Sequence, residues 1–191
     1  MDDQVNPCFN LLSFQAIIAQ RWLKRGEESA DSFASYFFSF SALNALYFAW
    51  AQADQISGFN GSHPGDLMQV EHLVRKFTSD EAQEILAVVQ PQIEFFSSRK
   101  PIQRMDKRTC NNFDRGKDKE GRAAQKTLMA GDPPVERLVA LTKIQYLIRS
   151  NLVHGSKAED GDDLAVVRQA LVPIREIATR ALRLTENQLE S

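Results

Sequence analysis

Arg149, Ser150, Asn151 and His154 fall within one short stretch, Ile-Gln-Tyr-Leu-Ile-Arg-Ser-Asn-Leu-Val-His-Gly-Ser-Lys, that runs from Ile144 to Lys157. Arginine is a permanent cation whose planar fork fits phosphate oxygens. Histidine near a helix C-terminus takes or gives a proton close to neutral pH, and the helix dipole favours its charged form. Asn151 stands three residues before His154, close enough on a helix to reach it or a ligand. Arg149, Asn151 and His154 together suit phosphodiester chemistry that needs no metal. The plainer alternative is that Arg149 pairs with a carboxylate and His154 caps the helix end.

The element that must position these residues is a helix. Leu141, Ile144, Ile148 and Leu152 follow one another at steps of three and four, which places them on one face. Gly155 suits a left-handed C-cap. On a wheel of about 100° per residue, with Ile148 at zero, Arg149 lies about 100° to one side and His154 about 120° to the other. Between them, away from the core stripe, fall Val139, Tyr146, Ser150 and Val153. The sevenfold spacing of Val139, Tyr146 and Val153 keeps a second apolar stripe in line. A helix apolar on two sides is usually covered on two sides, so the second stripe is expected to meet another helix or a second subunit.

Arg-Ser-Asn-Leu-Val-His-Gly, from Arg149 to Gly155, resembles the Arg-x-x-x-x-His motif of the HEPN superfamily. These are small helical domains found in RNases, toxins, defence systems and partners of minimal nucleotidyltransferases. Phe40-Ser-Ala-Leu-Asn-Ala-Leu-Tyr47 resembles their early helix. In one respect the chain departs from the pattern: Ser150 follows the arginine, where many catalytic members carry Asn, Asp or His, and the Asn comes one place later. The resemblance implies an up-and-down bundle that pairs into a homodimer, with two such motifs meeting at the interface. It implies a metal-independent endoribonuclease, a toxin or defence effector, in which His154 moves a proton, Arg149 stabilises phosphate charge and Asn151 orients the histidine or holds an oxygen. Ser150 and Tyr146 beside them, and Asn44 and Tyr47 on an earlier helix, are the accompanying binding candidates. The alternative is a non-catalytic HEPN-like regulatory domain that binds a nucleotide, an RNA or a protein. An antitoxin or a nucleotidyltransferase is the partner that each reading would call for, and neither needs a cofactor.

The chain has 191 residues, which suits a single domain over 1–191. Its composition, 43% hydrophobic and 25% charged, is ordinary for a globular protein. A net charge of −2 does not by itself announce nucleic acid. Cys8 and Cys110, far apart, form neither a disulfide framework nor a metal-ligand spacing, and a reducing, cytoplasmic setting is expected. The acidic N-terminus lacks a signal-peptide pattern, and no apolar run approaches the roughly 20 residues of a membrane span.

Helical periodicity recurs along the chain and no strand-like alternation appears. The expected fold is all-α, a bundle of about five or six helices with one long basic loop, which the resemblance to HEPN domains sharpens into an up-and-down bundle. Phe9 to Lys24 reads as a helix ended by Gly26. A second runs from about Glu28 to Gln55, with aromatics at steps of three, four and seven that belong mostly to a core. Asn44 and Tyr47 sit in that stripe. They either join two helices by a hydrogen bond or orient the Arg149 region. His63 reads as a loop residue, and His72 has no metal-spaced partner. Thr78 and Glu81 match a capping box, and Pro91 and Pro173 predict a kink or break. Arg99 to Arg122 holds nine basic residues against four acidic ones. The whole segment 99–133 reads as a flexible basic loop, either a solvated connection or an arm over RNA, with Lys107 and Arg108 as phosphate contacts.

Overall fold

The computed structural model describes residues 7–58, 61–98, 115–153 and 161–191. The chain is all-α, with no strand among the described residues. Among the described residues eight helices appear in order, where about five or six are expected: α1 (Pro7–Glu28), α2 (Ser32–Ala53), α3 (Asp66–Val74), α4 (Ser79–Val88), α5 (Gln90–Ser98), α6 (Arg115–Met129), α7 (Pro134–Val153) and α8 (Gly161–Glu190). No described helix is long and apolar enough to cross a membrane. The contacts gather into two compact units, one of Met1–Lys76 with Arg175–Ser191 and the other of Phe77–Ile174.

In the first unit α1 packs on α2. Asp31 starts α2 by accepting a hydrogen bond from the Phe33 backbone N–H at 2.8 Å, which satisfies one of the orphan donors of the first turn. Tyr36, Phe40, Leu43, Leu46, Tyr47 and Trp50 of α2 are buried, so four of its eight aromatics lie in the core; Phe33, Phe37 and Phe38 are half-buried and Phe48 is exposed. Gly26 does not end α1. The helix continues to Glu28, because Gly26 lies at the close approach of α1 and α2, where Ser35 Oγ donates to its carbonyl.

The C-terminal half of α8 completes this unit. Trp50 Nε1 donates to Thr185 Oγ1 at 2.9 Å, and Thr185 Oγ1 donates to the Ala181 carbonyl at 2.8 Å. Both residues are buried. Thr185→Val keeps the shape and removes the acceptor, leaving a buried indole N–H unpaired. We expect a loss of about 2 kcal/mol, read by urea unfolding; an unchanged midpoint would mean that the indole finds another acceptor.

In the second unit α7 packs against α4 and α6, and α6 against α5. The Thr78–Glu81 capping box of α4 is present, with both reciprocal hydrogen bonds made. Pro91 ends the run through α4, and α5 restarts with that proline in its first turn, where a missing N–H matters least. Leu138, Leu141, Ile144 and Ile148 of α7 are fully buried, as the steps of three and four require.

The reading of 99–133 as one long loop is corrected over its second half, which folds as α6. Gly121, Ala124 and Leu128 form its buried face, at helical steps but with little apolar bulk to signal them. Gln125 Nε2 donates to the Phe96 carbonyl at 2.7 Å and Arg137 Nε to the Leu128 carbonyl at 3.1 Å, tying α6 to α5 and to the start of α7. Helix α8 runs unbroken through Pro173. The proline removes one backbone donor, but Val167, Ala170, Ile174 and Ile177 on either side are fully buried and hold the helix through it.

Candidate active site

Arg149 stands in the penultimate turn of α7, on a helix whose core face is fixed by α4 and α6. It is half-buried and engaged within the protein. Ile148 and Ser150 on either side of it are buried, Ser150 to 2% exposure. Tyr146 is half-buried beside them. Asn151 belongs to α7, but its side chain lies outside the described residues, as do all of His154, Gly155, Lys107 and Arg108. Of the second apolar stripe, Val139 is already buried within the chain.

Asn44 and Tyr47 belong to the first unit, and Arg149 to the second. The two do not share one environment: Asn44 is exposed, whereas Tyr47 is buried at 1% exposure. A position three residues on along a helix is rotated by about 60°, enough to carry one side chain into the core and leave the other in solvent.

A second polar cluster was not legible in the sequence. At the end of α2, Asp54 Oδ2 accepts from His72 Nε2 and from Lys76 Nζ, both at 2.6 Å. Lys76 Nζ also lies 4.3 Å from the centre of the Trp50 ring, within cation–π range. Nearby in the chain, His63 Nδ1 donates to the Pro64 carbonyl at 3.0 Å, which leaves its Nε2 to accept from Gln52 at 3.4 Å. The only sequence signal was the four-residue step from His72 to Lys76; their common partner is 18 residues before His72. Among the described residues no group of three or more His, Cys, Asp or Glu side chains could hold a metal ion.

Burial acts to raise the Asp54 pKa, but the hydrogen bonds from Lys76 and His72, together with their charges, outweigh it and hold the carboxyl below its usual value. The folded state therefore binds this proton less readily than the unfolded state does. The stability Asp54 contributes is in place above the ordinary value of 3.8 and fades as pH falls through the lowered one. Asp54→Asn should cost about 1 kcal/mol at neutral pH. The difference from the unsubstituted protein should close under strong acid, and urea unfolding at pH 7 and below pH 3.8 checks it. An equal deficit at both pH values would locate the effect in packing instead of charge.

No protein-family model, curated protein or solved structure matches the chain.

Proposed function

We propose that this chain is a metal-independent endoribonuclease of the HEPN type, folded as an up-and-down bundle and acting as a cytoplasmic toxin or defence effector. The observation that carries the proposal is the place of Arg149. It is a half-buried arginine on a helix packed along its opposite face, five residues before His154 in an Arg-x-x-x-x-His sequence.

In this reading two copies of the chain pair, and each brings one motif to a shared cleft. His154 of one motif takes the proton of the ribose 2′-hydroxyl as that oxygen attacks the adjacent phosphorus. The P–O5′ bond breaks, the leaving oxygen takes up a proton, and a 2′,3′-cyclic phosphate remains. Arg149 stabilises the charge that builds on the phosphate oxygens. Asn151 orients His154 or holds a phosphate oxygen. Lys107 and Arg108, in the basic stretch, add phosphate contacts that carry no sequence preference. An antitoxin would neutralise such an enzyme.

Two observations favour a second reading, a non-catalytic domain of the same type that binds a nucleotide, an RNA or a partner such as a nucleotidyltransferase. Arg149 is already engaged within the protein, and Ser150, where many catalytic members carry Asn, Asp or His, is buried. The deciding experiment is incubation of the purified protein with labelled RNA in EDTA. Cleavage that leaves cyclic phosphate ends supports the nuclease. Intact RNA, with retained binding, supports the regulatory domain.

A further inference from the structure

Helix α1 carries two faces of different character. Leu12, Ala16, Ala19 and Leu23 are buried on one side. On a wheel of about 100° per residue, Phe14, Ile17, Ile18, Arg21, Trp22 and Arg25 gather on the other. Phe14 is 59% exposed and Ile17 47%. Exposed large apolar side chains are ordinary when scattered, but a contiguous set marks a binding surface. At the C-terminal end of this set lies an open hollow of about 400 Å³, lined among the described residues by Ile18, Arg21, Trp22 and Arg25.

The two arginines are exposed, and among the described residues neither has a carboxylate within ion-pair distance. Lys24, beside them, is paired with Glu28 at 3.9 Å. Like charges four residues apart weaken a helix by a few tenths of a kcal/mol. The guanidinium fork matches the oxygens of a carboxylate or phosphate. The indole of Trp22 is already engaged: Phe38 stacks on it at 5.5 Å and 19°, and the Arg25 guanidinium lies 5.4 Å from its centre. The hollow therefore offers a fixed apolar wall rather than an open platform for a planar base.

We propose that this face of α1 binds an anionic amphiphile, with an aliphatic chain along Phe14, Ile17 and Ile18 and a carboxylate or phosphate head held by Arg21 and Arg25. From Phe14 to Arg25 the helix rises about 16 Å, a span that an extended alkyl chain of medium length covers. The residues of this site belong to α1, with Phe38 of α2 stacked on Trp22, and the site does not depend on the ribonuclease reading.

The test is calorimetric titration of the full chain with laurate and, separately, with dodecyl phosphate, each below its micelle concentration. Saturable binding of either is expected, and the stronger of the two identifies the head group. Arg21→Glu with Arg25→Glu should weaken binding at least tenfold, and Phe14→Ser with Ile17→Ser should weaken it independently. All four positions border solvent, and thermal melting confirms that the variants fold. The proposal is overturned if neither amphiphile saturates, if dodecanol binds as tightly, or if the arginine variant keeps its affinity. Arginine-dependent binding of AMP in preference to laurate, or binding only to phosphatidylglycerol vesicles, overturns it equally.

Discussion

His154→Ala and Arg149→Ala are each expected to lower RNA cleavage by at least about a hundredfold, the usual loss when a general base or a charge-stabilising donor is removed. The two groups act on one transition state, so the double variant should be little worse than either single one. The rate of the unsubstituted protein should change with pH near the ordinary histidine range, and that dependence should be lost in His154→Ala. EDTA should leave the rate unchanged. Arg149 needs a control, because it is half-buried and engaged within the protein and its removal also perturbs packing. Arg149→Lys keeps the charge and loses the planar fork. A folded Arg149→Lys protein with residual cleavage, beside an inactive Arg149→Ala protein, separates charge from scaffold. Full activity in His154→Ala would sink the nuclease reading whatever the arginine variants do.

The parts of the fold that were legible are those where bulk and spacing coincide. Leu141, Ile144 and Ile148 announce α7 because each is large, apolar and one helical step from the next, and all three are buried. Thr78 and Glu81 announce α4 because a capping box is local chemistry, complete within four residues. Helix α6 was hidden because its inward face is built from Gly121, Ala124 and Leu128, two of them too small to stand out among the charges of Arg115 to Arg122. The Asp54, His72 and Lys76 cluster was hidden for a different reason. No local pattern connects a residue at the end of α2 to two that follow it across a turn, and only the folding of α3 onto α2 brings them together. At the candidate site the order along the helix was legible, but depth was not. A wheel ranks Ser150 by angle alone; neighbouring helices decide that it is buried while Arg149 remains half-exposed.

Gly26→Leu is expected to destabilise the protein by about 3 kcal/mol, because Gly26 belongs to the interface of α1 with α2 and not to a helix end. A Cβ at this position would meet Ser39 Oγ at 3.2 Å and the Ser35 carbonyl oxygen at 3.3 Å. Alanine can be accommodated if those atoms yield by a few tenths of an ångström, and its better helix propensity, about 1 kcal/mol over glycine, offsets much of the squeeze. Gly26→Ala should therefore lie within about 1 kcal/mol of the unsubstituted protein. Leucine has no such escape, since its extra atoms must enter the space of Phe38 and Ser39 on α2. Forcing the helices apart would also pull Ser35 Oγ from the Gly26 carbonyl and loosen Arg175, whose guanidinium donates to both that carbonyl at 3.2 Å and Ser35 Oγ at 2.9 Å. One glycine thus sets the approach of α1 to α2 and the seat of the cation that joins α8 to them. Urea unfolding of the two variants decides the matter. A steep loss for leucine with near-neutral alanine places Gly26 in the packing of α1 on α2, whereas a mild effect of both would make it a replaceable helix residue.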